Sequence, residues 1–226
     1  MRRFAFAVLA ASFASSAFAA DAAHPVVIEL FQSQGCSSCP PANANVMALA
    51  DRPDLLVLSF GVTYWDQLGW KDRFARPEYT RRQYDYRGGL GHDNVWTPQT
   101  VINGRVDVTG VRAAELKQAV VAGDRGERGP AVTASSSRIS VSAGMGPADI
   151  WLVRYDPRIV QVPIRAGENG GRTLPHRNVV HSLVRLGGCT GSAADWPRPA
   201  PAAGLSDAVL VQRPDGGQIV AALRLK

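Results

Sequence analysis

Residues 26–42, VVIELFQSQGCSSCPPA, decide how the rest of the chain is read. Val26 to Phe31 is a near-continuous apolar, β-branched run, the mark of a strand buried on both faces. Pro40 and Pro41 then open a segment of helix formers, Ala42 to Ala50, with Val46, Met47, Leu49 and Ala50 as its apolar side. Cys36 and Cys39 stand where the strand stops and the helix starts, three positions apart and so able to share one disulfide. At such a point unpaired backbone N–H groups and the helix dipole favour a thiolate on the first cysteine. The pattern is that of a dithiol redox site.

Strand and helix signals alternate from there. Leu55 to Phe60 reads as a second buried strand and Glu78 to Tyr86 as a helix. Gln99 to Ile102 is a third strand, and Asn103-Gly104 is a strong hairpin turn. Arg105 to Val108 returns, and Val111 to Val121 closes as a helix. Strands joined through a helix are expected to be parallel, and those joined by the turn antiparallel. Residues 63–77 interrupt the order with Tyr64, Trp65, Trp70 and Phe74. They suit either a lip beside the cysteines or packing against the C-terminal part of the chain. Trp96, next to Thr97, has a better claim to the redox surface.

Residues 123–130, with three glycines and a proline among charges, read as a linker. Short runs follow at 132–141, 150–155, 159–164, 179–186, 208–211 and 219–225, separated by turns such as Glu168-Asn169-Gly170-Gly171. This spacing predicts an antiparallel, sandwich-like β-rich domain over 131–226.

At the N-terminus, Arg2 and Arg3 precede an apolar stretch, Phe4 to Phe13, and an A-x-A site ending at Ala19. This reads as a secretory signal peptide over residues 1–19. The mature protein is therefore expected to be exported, periplasmic or secreted, with no membrane span after cleavage. Of the formal charge of +6, the leader's two arginines account for two, which leaves +4. No basic stripe with interleaved aromatics exists, so nucleic acid is not an expected partner.

A cysteine pair supports several chemistries. Tetrahedral zinc needs four ligands, and none of His24, His92, His176 and His181 stands at ligand spacing with the pair. Neither a metal nor a cofactor is expected. Copper(I), which needs only two thiolates, remains an alternative, as does a structural disulfide in a non-catalytic interaction module. Redox exchange gains from Thr97-Pro98, directly before the third strand. A cis bond is expected there, leaving the Thr97 backbone to pair with a docking peptide. Glu29 interrupts the first strand. It is either buried, with a raised pKa, and able to accept a proton from Cys39, or solvated at the strand's end. Cys189, left unpaired, reads as a buried small hydrophobe, with a mixed disulfide to another chain or a resolving role for Cys36 as the alternatives.

With these residues in view, 26–121 resembles the thioredoxin superfamily, through the C-x-x-C at a helix start and the Thr-Pro before the third strand. More closely, ELFQSQGCSSCPPA (29–42), YWDQLGWKDRFA (64–75), TRRQ (80–83) and TPQTVING (97–104) are similar to a family of exported bacterial thioredoxin-like proteins of unknown function. The resemblance implies an α/β thioredoxin-like fold over 24–122, followed by a β-rich portion, and no settled reaction. The function expected is thiol–disulfide exchange with protein thiols or disulfides or a redox partner protein. Cys36, the more exposed cysteine on this reading, would attack, Cys39 would resolve, and Thr97 and Pro98 would align the partner.

Overall fold

The computed structural model describes residues 20–144 and 146–225. The expected signal peptide, 1–19, lies outside them. The first half contains β1 (Val26–Gln32), α1 (Cys39–Met47), β2 (Leu55–Gly61), α2 (Pro77–Gly89), β3 (Gln99–Ile102), β4 (Val106–Val108) and α3 (Ala113–Gly123). β1 and β2 are parallel, from Val26 opposite Leu55 to Gln32 opposite Gly61. β3 runs antiparallel to β1, with Phe31 opposite Gln99, and turns into β4 through Asn103 and Gly104, both at positive φ. The connections explain these directions. A helix carries the chain back to the start of a parallel neighbour, whereas a short turn can only reverse it.

Strand periodicity sorts the side chains of β1 onto two faces. Val26, Ile28 and Leu30 pack against Ala42 and Val46 of α1 and Leu116 of α3. Val27 and Phe31 face the other way, into a cluster with Tyr79 and Tyr86 of α2. Helices thus cover both sides of the sheet, which is why β1 and β2 are apolar at nearly every position.

The C-terminal half adds β5 (Val132–Ala134), β6 (Arg138–Val141), β7 (Ala148–Asp156), β8 (Val160–Pro163), β9 (Thr173–His176), β10 (Val179–Cys189), β11 (Ala194–Pro197), β12 (Ser206–Gln212) and β13 (Ile219–Leu225). These strands do not build a free-standing sandwich. Four of them extend the first sheet, giving eight strands in the order β13-β12-β7-β10-β2-β1-β3-β4. The physical reason lies at β2. Its far edge is enclosed, and buried backbone donors and acceptors must be paired. β10 supplies the partners, beginning with Val179 opposite Ser59. The α2-side core consequently runs through both halves, joining Phe31, Leu58 and Phe60 to Val153, Val180 and Leu210. A smaller layering does form. The three-stranded sheet β11-β6-β5 sets Ile139, Val141 and Trp196 against Ile150, Val209 and Val211 of the extension. β8 and β9 pair only with each other.

Asn178 holds the seam between the halves. Its carbonyl accepts from the Ser59 N–H at 2.9 Å and its side-chain amide donates to the Val57 carbonyl at 2.8 Å, with φ at 52°. Asn tolerates that left-handed conformation, whereas a residue without the side-chain amide gains nothing from it. Asn178→Ala is expected to lower stability by roughly 2 kcal/mol, because it strands a buried carbonyl and strains the backbone. Asn178→Gly should lose less. Urea unfolding of the two variants measures both.

Candidate functional site

The end of β1 turns abruptly into α1. The Cys36 N–H reaches the Ser33 carbonyl and the Cys39 N–H reaches that of Cys36, both at 3.2 Å, so the intervening serines form a tight turn. This brings the Cα atoms of Cys36 and Cys39 to 5.4 Å, and the two are joined as a disulfide. Ser38 is the N-cap of α1, and its hydroxyl lies 3.3 Å from the Cys36 sulfur.

Thr97-Pro98 is at the same end of the sheet, immediately ahead of Gln99, which faces Phe31 in the β1–β3 register. The bond between them is cis. Thr97 Oγ1 accepts from the Trp65 indole at 2.6 Å, and the Trp96 carbonyl accepts from Gln83 at 2.7 Å. The Trp96 ring stacks edge-on with His92. The aromatic insertion divides between its two expected roles. Trp65 turns toward Thr97, while Trp70 and Phe74 pack on Val162, Ile164 and Leu174 of the β8–β9 hairpin.

That hairpin changes the picture of the cysteines. Cys36 was expected to be exposed, yet it is 0% and Cys39 1% accessible. Residues 164–172, between β8 and β9, lie against the C-x-x-C turn. The Asn169 side-chain amide donates to the carbonyls of Gln34, at 2.9 Å, and Cys36, at 2.8 Å. The Ser37 N–H donates to Glu168 Oε2 at 2.9 Å, and Arg172 donates to Asn169 Oδ1 at 2.7 Å. From the opposite side Asp72 accepts from the Gln34 N–H at 2.8 Å and Trp70 donates to Gln34 Oε1 at 3.0 Å. The approach to the cysteines is therefore gripped by the aromatic insertion and the hairpin together.

Cys39 also lines a cavity of about 210 Å³, shared with Gln32, Asn43, Pro175 and His176. Gln32 donates to Asn43 and to Ser59, and Asn43 donates to the Pro175 carbonyl. These residues, rather than Glu29, are the polar groups beside Cys39.

Glu29 is buried, as one of its two readings required, but it points to the α2 face, away from Cys39. Its parity in β1 decides this, since odd-numbered positions face α2 and even-numbered ones face α1. It forms a two-point ion pair with Arg82, at 2.7 and 3.2 Å, and accepts from the Tyr86 hydroxyl. Arg82 reaches on to Gln212 at 3.0 Å. A proton transfer from Cys39 to Glu29 has no path in this arrangement. Cys189 is buried in the cluster under β11-β6-β5, apart from the other cysteines, and carries no disulfide. Among the described residues, the one acidic and histidine group with metal-ligand spacing is Asp21, His24 and Glu127. It sits at the start of β1, the end opposite the cysteines, and includes none of the expected site residues.

The fold and site define a mixed α/β protein built on one large sheet, with a covered cysteine pair at a helix start. The chain belongs to the family described as "Protein of unknown function (DUF1223)", which matches residues 27–212. It is similar to protein AGR_C_4864 from Agrobacterium tumefaciens, at 32% identity and a TM-score of 0.75, over 91% of this chain and 94% of that one. HBP35 of Porphyromonas gingivalis has a related fold, at 12% identity and a TM-score of 0.53, over 89% of this chain and 74% of that one. No curated protein matches.

Sequence reasoning missed Gln34, Asp72, Glu168, Asn169, Arg172 and His176. The one available signal was Glu168-Asn169-Gly170-Gly171, legible as a turn but not as a cover for residues more than 130 positions away.

Two buried titratable groups near the site respond to acid in opposite senses. Burial pushes the His176 imidazole down to about 4, and its Nε2 has no partner. Burial raises Asp72 to about 6, against backbone hydrogen bonds that pull it down. The folded state thus disfavours charged His176, so its contribution to stability is present above about pH 6.5 and is lost as pH falls toward 4. The raised Asp72 contributes stability below about pH 4 that is lost as pH rises through 6. His176→Phe is expected to remove an acid-induced loss on the order of 3 kcal/mol between those limits. What remains should then favour the lower pH, which unfolding at stepped pH values will show. Arg82→Met, which strands the Glu29 carboxylate, should cost about 3–5 kcal/mol. The double variant Glu29→Leu, Arg82→Met should cost distinctly less in the same urea titration.

Proposed function

We propose that this protein carries out thiol–disulfide exchange through Cys36 and Cys39 in the exported compartment to which the leader at residues 1–19 points. The observation that carries the reading is the disulfide itself. It joins a C-x-x-C pair across the turn from β1 into α1, at the sheet end where Thr97 and Pro98 precede β3. The element order β1-α1-β2-α2-β3-β4-α3, with α1 and α3 on one face and α2 on the other, supports a thioredoxin-like fold, extended here by the strands of the C-terminal half.

In the reducing direction the Cys36 thiolate attacks a partner disulfide. The partner's S–S bond breaks, a mixed disulfide forms on Cys36, and the second partner sulfur leaves as a thiolate. Cys39 then loses its proton and attacks the Cys36 sulfur. The internal disulfide re-forms and the partner's first sulfur departs, so two electrons pass from the dithiol to the partner. The oxidising direction is the reverse. Burial of both sulfurs adds a requirement, because residues 164–172 must move before a protein partner can reach Cys36.

The same burial favours a second reading, in which the disulfide is structural and the molecule is an interaction module. The two are separated by reducing the folded protein with a dithiol substrate. Under the exchange reading Cys36→Ser abolishes transfer, and Cys39→Ser accumulates mixed disulfides visible as mass adducts. A disulfide that yields only after denaturation supports the structural reading instead.

A further inference from the structure

The start of α1 is poor in free donors. Pro40 and Pro41 have no N–H, the Cys39 N–H is taken by the Cys36 carbonyl, and no side chain caps the helix. A thiolate on Cys36 would therefore draw on few groups. The Ser38 hydroxyl, 3.3 Å from its sulfur, is one. The adjoining Ser37 N–H is occupied by the Glu168 carboxylate at 2.9 Å. This contact places a negative charge from the hairpin against the residue next to Cys36. Arg172, a cation of the same loop, has a guanidinium nitrogen engaged with Asn169 Oδ1.

We infer that Glu168 tunes the Cys36–Cys39 couple: its carboxylate, held on the Ser37 N–H, disfavours a thiolate on Cys36 and so holds the pair in the disulfide state. The carboxylate's charge, held on the residue next to Cys36, repels a second anion there. Hydrogen bonds from Ser37 keep Glu168 below the ordinary carboxylate range, so the charge persists over the pH range in which thiols titrate. Glu168 is a tuning residue and makes no contact with the exchanging partner in this scheme.

The inference deepens the exchange reading, but its test needs no partner protein. Reduction by glutathione is balanced as two glutathione thiols giving up two electrons and leaving as glutathione disulfide, while the Cys36–Cys39 bond becomes two thiols. The equilibrium is measured with the full protein at about pH 9, where cysteine thiols are largely ionised. In low salt, Glu168→Gln, which keeps an acceptor oxygen but no charge, is expected to shift the equilibrium about threefold toward the dithiol. That corresponds to roughly 15 mV at about 30 mV per tenfold change. The shift should shrink near 1 M salt, where charges are screened within about 3 Å.

Asn169→Ala loosens the same loop but keeps the Glu168 charge. It should speed the reaction with glutathione and shift the potential by distinctly less than Glu168→Gln does. No shift in Glu168→Gln, a shift that ignores salt, or an equal shift in Asn169→Ala would each overturn the inference in favour of a purely packing role. A salt-sensitive shift in a protein that fails to exchange with any protein dithiol would uphold the tuning and sink the exchange function.

Discussion

The structure depends on how one buried strand edge is satisfied. β2 is enclosed on both faces, so its outer N–H and C=O groups have no water to meet and must find backbone or side-chain partners. Ser59 and Val57 find them in Asn178, and β10 begins there. Once that join is made, the C-terminal strands are no longer an appended unit. They continue the sheet, share the α2-side core with β1 and β2, and bring the β8–β9 hairpin to the cysteine end of the molecule. The covered disulfide is a consequence of that routing.

The ion pair of Glu29 with Arg82 illustrates the same economy. A carboxylate enclosed in the sheet would be strongly destabilising alone. Arg82 cancels its charge, Tyr86 supplies a further hydrogen bond, and Gln212 of β12 takes another guanidinium N–H. One charged residue of the first strand is thereby tied to the last third of the chain. Its position in an apolar run suggested proton transfer, but its setting is that of a neutralised structural pair.

Much of the first half was legible because its signals are local. Apolar runs, the cysteines before two prolines and the Asn103-Gly104 turn each carry their meaning within a few residues, and the strand order followed from connection lengths. The ends of the helices were less so. α1 begins at Cys39 itself, since proline is well accommodated in a first turn. The C-terminal half was legible as strands but not as a layout, because an alternating strand reads alike whether it stacks on another sheet or joins one edge-on. β9 and β11, four residues each, escaped notice. At the site, the face of Glu29 could have been counted from strand parity, whereas Glu168 and Asn169 could not have been found. Their partners are over 130 residues away, and no periodic signal records such a contact.

The β8–β9 hairpin is pinned down without being woven in. Its strands bond to each other and to no strand of the eight-stranded sheet, and it rests on a small apolar patch and a handful of side-chain hydrogen bonds. Sub-global unfolding of such a unit draws on only its own contacts, not on the cooperative stability of the whole domain. Uncovering the sulfurs would require breaking only this patch and these hydrogen bonds, none of which belongs to the pairing of the eight-stranded sheet.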